Sequence, residues 1–429
     1  VIFLGIVLAS GCQKESRMPQ GAVPSALAEV PAARLNFRYE PDVPGPDIKE
    51  VKSQERSPAV QADFDQTRPQ EILDKTLISP DQKHVLAVYH RATDIASEYR
   101  LDMYSGDAKL LRKITPDAMA VHFPDTIVWS PDSSAVAFVA MVRAGQDEAA
   151  SPPVNPPVVG PANAPSDANT RQGNAGNAND VDAQTNSNAT APTPAPPTGI
   201  LTLNTEQVYT CNSNGENTKA LTQNEGLIYF YYIWSPDSSM LAALAATSRE
   251  WQILQASADA KGEAFAPSGR LRVIEKNGRE RRLDDAPTSV RPVWSPDSAK
   301  ISEAFGTQVR VYDANGIAPT QAAIPLRNQL LISSQVYDRD QQRKLQAVNG
   351  SEEANATTSP SSNTEQAATT LPDEKSLVSF NPIVELEWTS DDILYFRTAY
   401  VKRMKNDADS VTSFARWHRL IFSYQAAAN

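Results

Sequence analysis

The sequence predicts an all-β protein built from repeated four-stranded antiparallel units. Three observations carry this expectation: a recurring Trp-Ser-Pro-Asp turn, a second hairpin signal behind most copies of it, and apolar, β-branched flanks. The segment Ile127-Val-Trp-Ser-Pro-Asp-Ser-Ser-Ala-Val-Ala-Phe138 recurs at 232–243 and at 292–303. Two degenerate copies flank these three. Residues 77–81 carry Ile78 where the others have Trp, and residues 388–391 keep Trp388 and Asp391 but lose the Pro.

Each copy reads as strand, tight turn, strand. Proline fixes φ near −65°, and the following aspartate (Asp132, Asp237, Asp297) can accept bonds from its own backbone, so the turn has a mechanism. Trp129, Trp234, Trp294 and Trp388 stand just before the turns, where a large ring can wedge between neighbouring sheets. A Ser-Gly or Asn-Gly turn between apolar strands ends the segments 100–106, 207–215, 270–278 and 308–316. Two hairpins per repeat make a four-stranded sheet, the unit of a β-propeller blade.

This doubled pattern resembles the TolB-like, WD-repeat-like propeller repeats, over most of residues 77–425. The resemblance implies a propeller in which the repeat Trp and Asp residues are structural. TolB itself carries an α/β domain before its propeller, and only residues 33–76 precede the repeats here, so the resemblance concerns the repeats alone and TolB's partners do not transfer.

Two segments lack the composition of a core. Residues 143–199 are rich in Pro, Asn and Ala, and residues 349–376 in Ser, Thr, Asn and Glu; both are expected to stay disordered as insertions in blade loops. About 310 residues remain for the propeller within 33–429, which at roughly 40–50 per blade suits six blades, with five or seven as alternatives. Residues 326–348, with Leu330-Leu-Ile332 and Val336-Tyr337, are the expected degenerate sixth. The last blade supplies strands at 384–388, 393–399 and 414–424, one short of four. The segment Arg34–Tyr39 is expected to pair as the missing outer strand and close the circle. Every Ser-Pro-Asp and Asn-Gly turn falls on one face of such a disc. The long excursions at 143–199, 247–268, 326–382 and 402–413 fall on the other, which is the expected partner-binding side.

The N-terminus reads as an address. Residues 1–8 form an apolar run shorter than the ~20 residues of a spanning helix, and fit the apolar region of a secretory signal. Ala9-Ser10-Gly11-Cys12 resembles a bacterial lipobox, with Leu8 one place before its usual position. The resemblance implies that Cys12 is acylated and becomes the first residue of the mature protein. Residues 13–32, polar and Ala/Pro-rich without an aromatic, suit a flexible tether, and Gln13 resembles signals for passage to the outer membrane. The partners implied are a membrane, through the lipid, and other envelope proteins.

Chemistry is harder to find. A net charge of −11 with no Lys/Arg cluster argues against nucleic acid; the run Arg279–Arg282 reads as a solvated strand face. No Gly-x-Ser-x-Gly elbow, phosphate-binding glycine loop or dinucleotide fingerprint occurs, and no cofactor is predicted. His84 and His90 could share one strand face, but read as ordinary strand residues. Cys211 has no His nearby in sequence and reads as packing. Asp284-Asp285 and Asp391-Asp392 read as turn residues. No catalytic or metal-binding set is assigned. The expected role is an envelope-anchored interaction scaffold; the alternative is a propeller enzyme or receptor acting on a glycan or peptide. Fatty-acid probe labelling in a bacterial host should mark the wild-type chain and not Cys12→Ser; equal labelling of both removes the anchor.

Overall fold

The computed structural model describes residues 26–47, 56–94, 97–142, 206–316, 318–349 and 371–424. Cys12, most of the tether, the 143–199 insertion and most of the 349–376 segment lie outside the described residues. The strands fall into successive antiparallel sheets, as alternating apolar flanks around tight turns require. After strand β1 (Leu35–Glu40) and helix α1 (Pro58–Thr67), the first sheet runs β2 (Glu71–Ile78), β3 (His84–Arg91), β4 (Arg100–Ser105), β5 (Leu110–Lys113). In the second, β6 (Met119–His122) and β7 (Val128–Trp129) share one side of β8 (Ala135–Val142), followed by β9 (Gln207–Asn212) and β10 (Lys219–Ala220). The third is β11 (Leu227–Trp234), β12 (Met240–Thr247), β13 (Arg270–Glu275), β14 (Glu280–Arg282), with helix α2 (Ser248–Lys261) between β12 and β13. The fourth is β15 (Val293–Trp294), β16 (Lys300–Phe305), β17 (Gln308–Asp313), β18 (Gln321–Pro325). Helix α3 (Arg327–Asn349) precedes the fifth, formed by β19 (Ile383–Ser390), β20 (Ile393–Lys402), β21 (Val411–Tyr424) and β1. The fold is an all-β propeller.

Among the described residues, 326–348 does not form the expected sixth blade. Five blade sheets are described, and residues 327–349 are helical. The run Leu330-Leu-Ile332 has the look of a strand, yet Leu326, Leu330 and Ser334 are buried at a four-residue spacing with Leu331 and Ser333 beside them, which is one face of a helix. A run that short does not separate strand from helix.

Blades are joined by the repeat itself. Trp129 Nε1 donates to Leu77 O of the preceding blade at 3.1 Å, Trp234 to Val128 O at 3.3 Å, and Trp294 to Ile233 O at 3.2 Å. Trp388 donates to Ser302 Oγ at 3.1 Å. Each ring is under a tenth exposed, and truncating one to Ala is worth about 3–5 kcal/mol. Below the rings, each turn donates forward: Asp81 N to Ser133 Oγ (3.0 Å), Asp132 N to Ser238 Oγ (3.1 Å), Asp237 N to Ser298 Oγ (3.0 Å). Asp297 N donates to Asp391 Oδ1 (2.9 Å), where a carboxylate replaces the hydroxyl. The accepting serines sit at φ +62°, and their buried hydroxyls help to hold this unfavourable conformation.

The end blades are finished differently. On the first, Val60 and Phe64 of α1 pack on Leu73, Val85, Ala87, Tyr89 and Tyr104. On the last, β1 pairs with β21 from Leu35↔Tyr424 to Glu40↔Arg419, supplying the fourth strand from the other end of the chain. His418, fully buried, locks this pairing. Its Nδ1 takes the Asp42 N–H (3.4 Å) and the Tyr39 hydroxyl (3.0 Å), so Nε2 carries the proton and donates to Thr398 Oγ1 (3.1 Å).

Burial, reinforced by the Arg416 charge, pushes the His418 imidazole down from 6.5 to about 3. The unfolded chain takes up this proton below pH 6.5 and the native chain does not, so stability falls as pH drops through that window, by on the order of 5 kcal/mol at its foot. The urea midpoint should therefore fall between pH 7 and pH 4 in the wild type. The fall should be shallower in His418→Gln, which is weaker at pH 7 but lacks the titration.

Candidate functional site

Strand polarity separates the two faces of the disc. The Ser-Pro-Asp turns and the β17–β18 turn lie on one; α2, the start of α3 and the β20–β21 tip lie on the other. This second face is built from α2 upward. Thr247-Ser-Arg-Glu250 forms a capping box: Glu250 N donates to Thr247 Oγ1 (3.2 Å) and Thr247 N to Glu250 Oε2 (3.0 Å). Arg270 of β13 grips the same carboxylate with two bonds of 2.9 and 2.7 Å, which ties the helix start to its blade. Those bonds, Arg270 foremost, hold the Glu250 carboxyl down at about 2.

The helix ends at Gly262, in the left-handed conformation at φ +66°. From there the chain bridges to the fifth blade. Glu263 pairs with Met404, Ala264 N donates to Arg403 O (3.0 Å), Lys405 N to Gly262 O (3.2 Å), and Lys405 pairs with Asp259 at 2.9 Å. Two long excursions from different blades thus form one strap. It leaves Ile253, Tyr400, Val401, Val411 and Phe414 between 38% and 59% exposed. Under α2, Trp251 packs on Phe123 (5.7 Å), Phe230 (5.8 Å) and Phe265 (4.6 Å). Gly269 is required here, because a Cβ would stand 2.7 Å from both Phe230 and Ala245 O.

Tyr231 of β11, Arg291 just before β15 and Glu387 of β19 come together. Arg291 lies over the Tyr231 ring at 5.1 Å. Burial raises the Tyr231 phenol, while burial and then the neighbouring Glu385 raise the Glu387 carboxyl. Glu385 is itself paired with Arg397 at 2.7 Å.

The sequence candidates disperse. His84 lies against Trp129 at 6.3 Å, and His90 pairs with Asp74 at 2.7 Å, so they share no site. Cys211 is buried, and burial pushes its thiol up to about 12, leaving no thiolate at neutral pH. Trp129, Asp132, Trp234, Asp237, Trp294, Asp297, Trp388 and Asp391 all lie in the blade junctions described above. Arg279–Arg282 runs into β14, where Arg282 pairs with Asp285 at 2.8 Å. Asp284 is more than a turn residue: it is nearly buried, pairs with Arg310 at 2.6 Å and accepts from the Tyr312 hydroxyl. Glu303 beside them is buried without a hydrogen-bond partner, and burial and the Asp284 charge push its carboxyl well above the usual range. The sequence reading missed two features. His122 and Glu206 form a buried pair at 2.6 Å, visible only once β6 and β9 flank β8. Thr247-x-x-Glu250 is a legible helix start inside the long excursion 247–268. Among the described residues, no three His, Cys, Asp or Glu side chains are placed to hold a metal ion. Two open polar cavities, of about 380 Å³ by Asn224 and Glu280 and about 430 Å³ by Arg112 and Glu216, lie between outer strands.

No protein-family model and no curated protein matches the chain. Solved structures do. An oligogalacturonate lyase in complex with manganese matches with 11% identity over 81% of this chain and 65% of that one, TM-score 0.34. Prolyl oligopeptidase B from Galerina marginata matches with 10% identity over 90% and 45%, TM-score 0.38. A eukaryotic initiation factor matches with 8% identity over 83% and 58%, TM-score 0.33. This chain spans less than two thirds of each. Likeness at this level concerns the fold, and none of those proteins' activities comes with it.

The strap depends on the start of α2. Glu250→Ala removes the capping box and the Arg270 grip, a loss of about 1 kcal/mol from the cap. Amide exchange should rise at 248–256 and at 402–406 while β11–β14 stay protected; unchanged exchange at 402–406 would show that the strap does not need the cap.

Proposed function

We propose that this chain is a cell-envelope lipoprotein whose propeller is a binding module, with the long-loop face engaging a partner protein of the envelope. The observation that carries the reading is the strap. Five apolar side chains stand exposed on α2 and the β20–β21 hairpin, on structure braced from two blades, and together they supply apolar area that a partner could cover. The Ser-Pro-Asp face is made of short turns and exposes fewer apolar side chains, Ile78, Leu110 and Leu111 among them. The resemblance of the repeats to TolB-like propellers and of residues 9–12 to a lipobox supports the class and the location. Among the described residues no helix is long and apolar enough to cross a membrane, and the attachment in this reading is the lipid on Cys12.

A second reading, an enzyme or receptor for a glycan or peptide, is favoured by Tyr231, Arg291 and Glu387. Stacking, a cation and a partly buried carboxylate suit a polar ligand. In that case Arg291→Ala and Glu387→Gln abolish ligand binding while the strap variants leave it intact.

The primary reading is tested by photo-crosslinking in the living envelope. A crosslinker at Val401 should trap a discrete partner and one at Lys109, on the short-turn face, should not. Val411→Asp should reduce the trapped adduct about tenfold. An adduct from Lys109 alone would put the partner on the opposite side.

A further inference from the structure

The third repeat differs from its siblings at one buried position. Lys300 stands where the other full copies have Ala135 and Met240. A lysine is costly to bury unless paired, and this one is 3% exposed. Its Nζ pairs with Asp313 Oδ1 at 2.8 Å and donates to Val30 O at 2.8 Å. Asp313 then takes the Ala32 N–H at 3.0 and 3.1 Å, and Thr320 Oγ1 takes the Ala33 N–H at 3.2 Å. Leu27, Val30 and Ala32 are buried beside them, Leu27 in the core between the fourth and fifth blades. The unusual lysine therefore belongs to a clamp on residues 27–33.

The clamp has a definite place. Lys300 begins β16 directly after its Ser-Pro-Asp turn, Asp313 ends β17, and Thr320 precedes β18. All three lie on the short-turn face. Leu35, the first residue of β1, is at the same end, because it pairs with Tyr424 while the β20–β21 tip is at the other. The chain thus reaches the disc from the Ser-Pro-Asp side. Residues 12 to 26 cannot span more than about 50 Å.

We propose that the Lys300–Asp313 clamp fixes the exit of the membrane tether on the short-turn face, so that the anchored disc turns its strap-bearing face away from the bilayer. This rests on the acylation of Cys12. The face left toward the lipid carries exposed Asp81, Asp132, Asp237, Asp297 and Asp391. Lys83, Lys109 and Lys276 lie among these carboxylates, so the face is of mixed charge. The partner is met on the aqueous side, on a soluble protein or a domain that reaches in from the facing membrane or the cell wall.

The test uses the acylated full chain, purified from a bacterial host and reconstituted in phosphatidylethanolamine/phosphatidylglycerol vesicles that carry an acceptor-labelled headgroup. A donor dye is attached at Lys109→Cys on the short-turn face or at Asp407→Cys on the hairpin tip; buried Cys211 does not react. The two positions differ in height by roughly 35 Å, the length of a ten-residue strand. Energy transfer from 109 should exceed that from 407 by about twofold or more. The same vesicles with Lys300→Met should show the contrast narrowed. Vesicle-bound protein with equal or reversed transfer overturns the orientation and leaves the anchor standing. If the chain floats with vesicles no better than Cys12→Ser, the anchor fails and the orientation with it.

Discussion

The fold depends on burying an indole whose N–H must still find an acceptor. A carbonyl of the preceding blade's first strand supplies it at three junctions and the Ser302 hydroxyl at the fourth. The ring provides the apolar area and the N–H provides the register, since it reaches an acceptor only when the two blades sit at one height. The turn beneath adds a second fastening of the same sense, from an Asp amide to the next blade's side chain. One short motif therefore closes its own hairpin and grips both neighbours.

Such a motif has direction, and the ends reveal it. Ile78 replaces the indole in the first blade and is 36% exposed, on the blade whose outer face α1 seals. In the last blade Asp391 stands in for the accepting serine, and β1 closes the sheet that the C-terminal strands leave incomplete. Burial of His418 in that seam holds its imidazole well below the usual range and makes the closure sensitive to acid.

Much of this was legible. Trp-Ser-Pro-Asp announces its turn because proline and aspartate act locally, and the shortage of one strand after residue 414 pointed to a donor near 34–39. The rest depended on contacts between distant residues. Leu330-Leu-Ile332 looked like strand because its neighbours at 326 and 334 matter only when a helix packs them inward. Nothing local distinguishes Lys300 from a surface lysine until Asp313 and Val30 arrive beside it. The strap was foreseen as loops sharing a face, but α2 was not, although Thr247 and Glu250 have the spacing of a cap. Tyr231, Arg291 and Glu387 come from three blades, and no spacing in the chain predicts their meeting.

The entry of the chain through a clamp and then an edge strand also has a mechanical meaning. A pull applied through residue 26 first loads the salt bridge and the few hydrogen bonds at Val30, Ala32 and Ala33. Only after these yield does force reach Leu35, where it opens the β1–β21 ladder from its terminal pair, one rung after another. Rungs opened in sequence resist far less than rungs sheared together, so the seam that completes the fifth blade is also its weakest under tension. The clamp works as a strain relief, keeping ordinary tugs on the leading segment from reaching the strand that closes the last blade.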